Sequence, residues 1–414
     1  MPDSKALLRS LFEVAVEAAT PAQCMSTWLP GRPAGDIVIV GAGKAAASMA
    51  FELERRWPGP LRGAVIVPRG HGVACQQVDV MEGSHPIPEE PNVDATKTLL
   101  THCSGLATGD TVVCLLSGGG SSLLTLPLAG ISLTDKQQIT SQLLHCGASI
   151  REINTVRKKM SGIKGGKLAA ACAPATIITL LISDVPGNDV SIVASGPTIA
   201  DTSTVSDALS VLSHYEIDVS DEVITAMRAA KDPPANSATG DVHVLATSDD
   251  ALQAAAAKAI GLGVTPYLLG DLNGDARMLA EEHARLAIAI ATGNGPVEAP
   301  CVILSGGETT VRVTGNGRGG RNGEYALSLA IVLDGHPAVS ALACDTDGID
   351  GAGDNAGSVV LPGMLARARA QGIDAKQLQA NNDSYRFFDE LDALVFTGPT
   401  RTNVNDFRAI FIDA

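Results

Sequence analysis

The chain has little of several features that mark other classes of protein. Aromatic residues make up only 3% of its 414 residues, and its eight cysteines are scattered without any C-x-x-C pair. Scattered cysteines inside apolar runs are typical of a reduced compartment, and they exclude a disulfide framework or a cysteine-based zinc site. No apolar run approaches the ~20 residues that a membrane-spanning helix needs. The first residues carry acids in an amphipathic pattern, which is not that of a signal peptide.

Basic residues are in the minority as well. The 30 Lys and Arg residues stand against 45 Asp and Glu residues, which gives a formal net charge of −15. An acidic surface of this kind repels nucleic acid and anionic membranes. We therefore expect a cytoplasmic protein that binds small molecules, with no nucleic-acid or membrane partner, as a monomer or homodimer. An anionic substrate would need a local positive pocket.

Short apolar runs alternate with helical patterns along most of the chain. Such alternation favours parallel sheets covered by helices, and the length suffices for two domains with cores of their own. The polar, breaker-rich segment 231–241 is the best candidate for a linker. We therefore predict an α/β fold with two Rossmann-like, three-layer domains. The N-terminal domain covers residues 1–235 and the C-terminal domain residues 242–414.

A buried strand at 112–116 runs directly into a loop of glycines and serines. Glycines let the backbone turn sharply and let another molecule approach the main chain closely. Successive amide N–H groups in such a turn form a concavity for anions, and the serine hydroxyls add donors. A phosphate or carboxylate site is favoured over a plain turn. The loop consists of Ser117, Gly118, Gly119, Gly120, Ser121 and Ser122. A strand at 301–304 leads into a similar layout of Ser305, Gly306, Gly307 and Glu308.

An earlier strand ends in a G-x-G-x-x-A match at residues 41–46, which is the weak form of the dinucleotide fingerprint. That interpretation requires an acid after the next strand, to hold the ribose. Arg69 follows that strand instead, and it could accept a 2′-phosphate, so an NADP-dependent reductase stays an alternative. Lys44 lies at the first turn of the following helix, where its charge would reinforce amides that hold an anion. A solvated surface lysine is the alternative for Lys44.

Acidic residues follow two further predicted strands. Asp184 and Asp189 come after the strand at 176–183, and they suit metal ligands or a general base, with a structural Asx turn as the rival. Asp345 and Asp347 come after the strand at 340–344. The spacing around them fails the calcium-loop pattern, which favours a magnesium site or a contact with a substrate hydroxyl.

Positive charge is concentrated in two places in this acidic chain. Arg157, Lys158 and Lys159 lie on a basic helix, and they could supply an anion pocket. Arg318 and Arg321 lie in the glycine-rich segment 314–324, just before a helix. Phosphoryl transfer needs cations and amides for phosphate oxygens, carboxylates for Mg²⁺ and a base near the attacking hydroxyl. No Walker A or protein-kinase signature is present, so this would be a separate type of kinase.

Motifs spread from about residue 4 to 412 resemble those of class II glycerate 2-kinases, the family that carries the MOFRL domain. They are GAGKAA, LLSGGGSSLL, KKMSGIKGGKLA, SDVPGNDVSIVASGPT, LSGGETTV, GRGGRNGEYAL, ACDTDGIDG and TGPTRTNVND. The resemblance implies ATP-dependent phosphorylation of D-glycerate to 2-phosphoglycerate with Mg²⁺, in a cleft between two α/β domains. It also implies a MOFRL region at about 300–410, and Lys44 and Arg321 as essential cations. Members of the family are often named hydroxypyruvate reductases.

The residues and the resemblance together give a hypothesis for the mechanism. Glycerate's carboxylate would lie on glycine and serine amides and on Arg321, while Lys44 and the 117–122 loop hold the transferring phosphate. The predicted catalytic residues are Lys44, Arg321, Asp184 and Asp189, with one of the two aspartates as the base. The other predicted binding residues are Gly43, Ser117, Gly118, Gly119, Gly120, Ser121, Ser122, Lys159, Ser305, Gly306, Gly307, Glu308 and Asn322. The predicted Mg²⁺ ligands are Asp345 and Asp347. A hydroxypyruvate reductase and a sugar-phosphate sensor without catalysis are the competing interpretations.

Overall fold

The protein divides into two compact units in a computed structural model that describes residues 3–26, 28, 31–185, 187, 189–233 and 240–413. One unit is Cys24–Leu245, and the other combines Met1–Gln23 with Ala246–Ala414. We call them the inner unit and the outer unit, because the first is inserted into the sequence of the second. Part of the predicted linker, residues 234–239, lies outside the described residues.

The chain starts with two helices, α1 (Ser4–Ala18) and α2 (Pro21–Cys24). The Asp3 carboxylate accepts the Lys5 N–H and caps α1. One stripe of α1 is buried, including Leu8, Leu11 and Phe12. Each fully buried side chain of this kind contributes about 2 kcal/mol. The stripe packs against elements of the C-terminal half, so the structure groups residues 1–23 with that half and not with the predicted 1–235 domain.

The inner unit alternates strands and helices. Its strands are β1 (Ile37–Ala42), β2 (Arg62–Pro68), β3 (Val78–Gly83), β4 (Thr111–Leu116), β5 (Thr176–Ile182) and β6 (Gly240–Ala246), the last of which crosses the boundary. Its helices are α3 (Ala46–Arg56), α4 (Glu90–His102), α5 (Gly120–Leu123), α6 (Leu133–His145), α7 (Ile150–Lys159), α8 (Lys167–Ala171), α9 (Val205–His214) and α10 (Asp221–Ala229).

The strands of the inner unit form one sheet in the order β3-β2-β1-β4-β5-β6. All the pairs among β1 to β5 are parallel. This order reverses direction between β1 and β4, and open sheets of this kind bind ligands outside the carboxyl ends of the strands at that point. A separate apolar cluster joins α6, α7, α9 and α10 beside the sheet. The loops after β1 and β4 therefore occupy the position where the fold favours a ligand.

The outer unit has a different sheet. Its helices after α1 and α2 are α11 (Ser248–Gly261), α12 (Ala276–Ala291), α13 (Arg321–Leu333), α14 (Met364–Ala370), α15 (Ala375–Ala380) and α16 (Ser384–Glu390). Its strands are β7 (Thr265–Asp271), β8 (Gly274–Asp275), β9 (Cys301–Gly306), β10 (Thr309–Thr310), β11 (Val339–Asp345), β12 (Gly357–Val360), β13 (Leu394–Val395) and β14 (Asp406–Ile412).

The main sheet of the outer unit runs β13-β12-β11-β14-β9-β7 and is mixed. Only β7 and β9 pair in parallel, whereas the other neighbours are antiparallel. Helix α1 packs on β14 and on α11. The predicted α/β fold with two sheet domains is confirmed, with one parallel and one mixed sheet. All eight cysteines are free thiols, and six of them are buried. None of the helices in the described part of the chain is both long and apolar enough for a bilayer.

A buried histidine in the core of the outer unit gives the first testable prediction. His283 in α12 lies with its Nδ1 2.6 Å from the hydroxyl of Tyr325 in α13, and both are buried. Burial, with a smaller contribution from the charge of Arg408, lowers the pKa of His283 from 6.5 to about 4. Between these pH values the unfolded chain binds a proton that the folded protein does not, so the stability falls as the pH falls. The loss approaches about 3 kcal/mol by pH 4.

The substitution His283→Gln removes this titration and keeps a hydrogen-bonding group beside Tyr325. We expect the difference in free energy of unfolding between the wild type and the variant to change by about 3 kcal/mol between pH 7 and pH 4. Urea unfolding followed by circular dichroism at several pH values measures this difference. If the free energies of unfolding of the two proteins changed with pH in the same way, His283 would not be held neutral in the folded protein.

Candidate active site

The turn after β1 packs directly on the loop after β4. The Lys44 N–H donates to the carbonyl of Gly118 at 2.9 Å, and the Ala45 N–H donates to Ser117 Oγ at 2.9 Å. Gly43 has a φ of +137°, and a Cβ there would collide with the Ser117 hydroxyl. This conformation and this close approach both require glycine. Gly43 is thus explained by packing against Ser117.

The two glycine turns differ in what their amides do. The N–H groups of Gly43, Lys44 and Ala45 all donate to acceptors in neighbouring strands or loops. In the described part of the chain, by contrast, the N–H groups of Gly118 and Gly119 donate to no acceptor. Two adjacent free donors at a strand end suit an oxyanion. The loop after β4, and not the G-x-G turn, therefore offers the amides for an anion.

Lys44 lies beside this loop. It is half-buried, and its Cγ lies 3.7 Å from the position that a Cβ on Gly119 would occupy. The ring of His85 approaches Gly119 from another side, at 3.0 Å from the same position. Gly119, Ser121 and His85 also line a cavity of about 640 Å³ in the inner unit. The structure thus brings Lys44 next to the predicted loop, part of which lines a cavity.

A strained turn supports the loop from the other side. Ala194 and Ser195 have φ values of 51° and 61°, in the left-handed region that non-glycine residues rarely adopt. The buried Ser195 hydroxyl lies 2.8 Å from the Ser121 hydroxyl and donates to Asn154 Oδ1 at 3.1 Å. Backbone strain of this kind persists where the surrounding structure enforces it, often at functional sites. The turn fixes the position of Ser121.

The two candidate bases of the inner unit have different surroundings. Asp184 is half-buried two residues after β5, the strand that pairs with β4. Asp189 forms an Asx turn, because its Oδ1 accepts from the N–H and the hydroxyl of Ser191 at 3.0 and 2.7 Å. Hydrogen bonding from the Ser191 hydroxyl is the largest cause that lowers the pKa of Asp189, which makes it a weaker base. Asp184 is the better candidate.

Lys159 of the basic helix is held by two carboxylates. Its ammonium group is buried between Asp232 at 2.7 Å and Asp201 at 3.0 Å. Lys158 pairs with Asp201 as well, at 3.6 Å. The spacing of the basic helix could not reveal these partners, because both aspartates are distant in sequence. In this structure these two aspartates occupy the Lys159 ammonium group, and its phosphate contact stays a prediction.

The change Lys159→Met should destabilise the protein for this reason. It leaves the buried Asp201 carboxylate with Ser203 and the more distant Lys158, and removing one partner of a buried ion pair costs about 3 kcal/mol or more. Chemical unfolding of the purified variant measures the loss. Lys97→Met is the matched control, since Lys97 forms an exposed pair with Asp94, and should change stability by less than about 0.5 kcal/mol. Equal stabilities for the two variants would contradict the assignment.

A second constellation forms in the outer unit around Asp406, the first residue of β14. Its Oδ1 accepts from Arg321 Nε at 2.8 Å and from Asn322 Nδ2 at 2.7 Å, and its Oδ2 accepts from Arg408 Nη2 at 2.7 Å. Asp406, Asn322 and Arg408 are all buried. Neither Asp406 nor Arg408 was predicted from the sequence to be a site residue. Two features of the sequence could have indicated them, namely the closing NVND segment and an arginine inside an apolar strand.

Arg321 is held by three carboxylates. Besides Asp406, its Nη2 donates to Asp345 at 2.8 Å and its Nη1 to the exposed Glu308 at 2.5 Å. Burial lowers the pKa of Arg321, but Asp406, Asp345 and Glu308 outweigh this effect, so the net pKa is raised above its usual value. A guanidinium has five N–H donors, so two remain for a ligand. Arg318, in contrast, pairs with Asp354 at 2.8 Å and stacks on Tyr385.

The loop after β9 joins the same constellation. The carbonyls of Gly306 and Gly307 accept from the buried Arg408 guanidinium at 2.6 and 3.3 Å. Gly307 has a φ of +91°, and Ser305 is buried at the end of β9. The loop therefore resembles the one after β4 in sequence, but here an arginine binds its carbonyls. The structure brings Ser305, Gly306, Gly307 and Glu308 together with Arg321, Asn322 and Asp345.

Asp345 and Asp347 are both buried at the end of β11. Asp345 Oδ1 accepts the Asp347 N–H at 3.0 Å, and Asp347 Oδ1 accepts the Ile349 N–H at 2.8 Å. Among the described residues, no group of three or more His, Cys, Asp or Glu side chains could hold a metal ion. Magnesium is commonly bound through one or two carboxylates together with phosphates and water. The donor chemistry of the pair fits that mode.

Asp350 was also missed by the sequence analysis. Its two oxygens accept the N–H groups of Asn322 and Gly323 at 2.9 and 2.8 Å, at the first turn of α13. Burial raises the pKa of Asp350 to about 6, although these two hydrogen bonds lower it. An acid that caps the start of α13 fixes Arg321, the first residue of that helix. Asp350 is therefore a positioning residue.

Two family profiles and several known proteins match this chain, and the proteins match it over almost its whole length. The profile of the domain of unknown function DUF4147 matches residues 7–228, and that of the MOFRL family matches residues 301–406. A D-glycerate 2-kinase of Thermotoga maritima is 38% identical, over 98% of this chain and 98% of that protein. A protein of Agrobacterium vitis named putative hydroxypyruvate reductase is 45% identical, over 99% of this chain and 94% of its own. The crystal structure of a Thermotoga maritima glycerate kinase superimposes with a TM-score of 0.88 at 37% identity, and covers 99% of both chains.

Proposed function

Because this chain belongs to the class II glycerate kinase family, we propose that it transfers the γ-phosphoryl group of ATP to the 2-hydroxyl of D-glycerate. The products are ADP and 2-phosphoglycerate. The observation that carries the proposal is the placement of Lys44 beside the two free amides of Gly118 and Gly119, at the reversal point of a parallel sheet. Cations and preorganised amides stabilise the charge on a transferring phosphoryl group.

The inner unit supplies phosphate binding and a base. Lys44 and the amides of Gly118 and Gly119 contact oxygens of the transferring group. Asp184, two residues after the strand that pairs with β4, accepts the proton of the attacking 2-hydroxyl, whereas hydrogen bonds from Ser191 lower the pKa of Asp189. The proton leaves the hydroxyl oxygen as that oxygen forms its bond to phosphorus, and the bond to the leaving ADP oxygen breaks.

The outer unit supplies Arg321 and the candidate ligands for a divalent ion. The two unused N–H donors of Arg321 bind the carboxylate of glycerate, in the bidentate geometry that a guanidinium favours. Asp345 and Asp347 would hold Mg²⁺, which neutralises charge on the phosphate oxygens when bound. Asp406 and Asp350 keep Arg321 in position through the contacts described above.

The name hydroxypyruvate reductase, carried by relatives, raises a second candidate function. It rests in this chain on the G-x-G turn and on Arg69. The amides of that turn are occupied by acceptors of the protein, and Gly43 is needed for packing against Ser117. Arg69 is bound to Glu89 and Ser84 at 3.2 Å each. A pyrophosphate therefore has no free amides at this turn, and the kinase is the better supported function.

One incubation separates the candidate functions. Purified protein with D-glycerate, ATP and Mg²⁺ should release ADP and form 2-phosphoglycerate, which phosphorus NMR distinguishes from the 3-phosphate. A parallel reaction with hydroxypyruvate and NADPH should show no loss of absorbance at the reduced-nicotinamide band. NADPH oxidation without ADP release would establish the reductase, and binding without either reaction would indicate a sensor.

A further inference from the structure

The cavity of about 640 Å³ in the inner unit contains more positive charge than the candidate site uses. Its walls come from the segment 85–88, from α6 and α7, and from the loop after β4. Lys136 of α6, Arg157 of α7 and Lys164 all line it. Lys136 and Lys164 are buried, with 7% and 2% of their surface exposed.

Among the residues that the structure describes, these three cations have no acidic partner. Within the described ranges, no carboxylate lies within ion-pairing distance of Lys136, Arg157 or Lys164, although Lys158 and Lys159 of the same basic region are paired with aspartates. Burial is the largest cause that lowers the pKa of Lys136, to about 7, and the charges of Lys167 and Arg157 lower it further. Buried charges in proteins are normally paired, so an uncompensated cluster of this size indicates an anionic ligand.

The three cations do not play the same part. Lys164 donates to the carbonyls of Ser121 and Leu124 at 2.6 and 3.1 Å, so it fixes the loop after β4. Lys136 has one long contact, to the carbonyl of Met160 at 3.5 Å, and the Arg157 side chain donates to no acceptor in the described part of the chain. The donors of Lys136 and Arg157 are therefore available to a ligand.

Charge and size restrict the ligand. A three-carbon hydroxy acid carries one negative charge and is far smaller than a cavity of about 640 Å³, a volume typical of sites for larger ligands. A polyphosphate compensates three cations. The solvent-exposed part of the cavity wall is apolar, since Ile87 and Leu144 line the cavity and are 64% and 57% exposed. Exposed apolar side chains next to buried cations suit a ligand with a planar ring at one end and phosphates at the other.

We propose that this cavity binds the nucleotide, with its phosphates on Lys136 and Arg157 and its base against Ile87 and Leu144. Lys44 lies beside Gly119, which lines the cavity, and the terminal phosphate would reach Lys44 from there. The assignment rests on the proposed function in so far as it takes a nucleotide to be the cosubstrate. It adds Lys136, and it assigns a ligand to Arg157, which the sequence had placed among the candidate anion contacts.

Equilibrium binding tests the assignment without catalysis. ADP, inorganic tripolyphosphate and D-glycerate are each titrated calorimetrically into the wild type, Lys136→Met and Arg157→Met, with Lys97→Met as the control. We expect Kd for ADP and for tripolyphosphate to rise at least about tenfold in the first two variants, because each loses charge-assisted hydrogen bonds. Binding of D-glycerate should stay within about twofold, and Lys97→Met should bind all three ligands like the wild type.

Thermal stability without ligand provides a second readout. A cation that awaits a ligand is uncompensated in the free protein, so Lys136→Met should melt at the wild-type temperature or above it. If Lys136 instead stabilises the fold, Lys136→Met should melt below the wild-type temperature. If Lys136→Met does not fold, Arg157→Met at the half-buried end of the cluster decides the assignment.

Three results would overturn the proposal. They are ADP affinity unchanged in both variants, loss of D-glycerate binding with ADP binding retained, and loss of tripolyphosphate binding with ADP affinity unchanged. The first result would show that ADP does not bind in this cavity. The second would show that the cavity binds D-glycerate, and the third that it binds a phosphate compound other than the nucleotide. A different result would contradict the proposed kinase function but not the nucleotide site. In that case ADP binding would depend on Lys136, while no glycerate would be phosphorylated.

Discussion

Replacing Lys44 by methionine is expected to lower kcat for glycerate phosphorylation by about 10²–10³-fold, the cost of one lost donor to transition-state charge. Lys44 is half-buried beside Gly119, and its backbone N–H is already bound to the Gly118 carbonyl. The substitution thus removes the ammonium group and leaves the turn intact. Steady-state kinetics with saturating ATP and glycerate measure the effect, and circular dichroism verifies the fold.

The matched control for this variant is Lys97→Met, which removes an exposed lysine of α4 in the same unit. Its kcat should remain within about twofold of the wild type, as for a surface change away from the site. A Lys44→Met enzyme with normal kcat would remove Lys44 from the mechanism. A raised KM for ATP with unchanged kcat would assign Lys44 to ground-state binding alone.

Replacing Arg321 by methionine should cost both activity and stability. The guanidinium holds Asp406 and Asp345, whose side chains are 0% and 6% exposed. Asp406 keeps Arg408 and Asn322 as partners, whereas Asp345 loses its ion pair with Arg321. Removing one partner of a buried ion pair costs about 3 kcal/mol or more. In addition, loss of a bidentate contact with glycerate should lower kcat/KM by about 10²-fold or more.

A double substitution separates these two effects. Asp345→Asn in the Arg321→Met background removes the carboxylate that lost its ion pair, so most of the lost stability should return. Activity should not return, because the contact with the substrate is still missing and the variant also lacks a proposed Mg²⁺ ligand. Unfolding free energies and kcat/KM for the four proteins of this cycle give the answer. Recovery of activity together with stability would show that Arg321 acts only by holding the fold, and Arg321→Lys then tests whether charge alone suffices.

The glycine-rich loops were the part of the site that the sequence could predict. Glycines that directly follow a run of apolar residues predict a sharp turn. In the structure Ser117 to Gly119 form that turn at the carboxyl end of β4, and Gly120 to Ser122 begin α5. The hypothesis for the mechanism assigned Lys44 and this loop to the same phosphate, and the two lie side by side because strands β1 and β4 are neighbours in the sheet. Which amides stay free could not be predicted, because the acceptors of Lys44 and Ala45 come from residues more than seventy positions away.

Charged residues were harder to place. Lys159 and Lys136 look alike in sequence, yet one is paired with Asp201 and Asp232 and the other lines a cavity without an acid nearby. This difference depends on which distant segments fold against α6 and α7. The mixed sheet of the outer unit could not be predicted from the sequence either. Strands β11 and β14 are buried on both faces, so they lack the alternation that marks antiparallel strands in a sequence.

The insertion of the inner unit into the outer one determines the order in which the ribosome can complete each of them. Helix α1 packs on β14, a central strand that is translated almost last. At about 5–20 residues per second, α1 waits roughly tens of seconds for that strand, whereas the inner unit can condense as soon as β6 emerges. Meanwhile the leucine and phenylalanine stripe of α1 is available to chaperones, and cells that lack them should show aggregation of nascent chains stalled before β14.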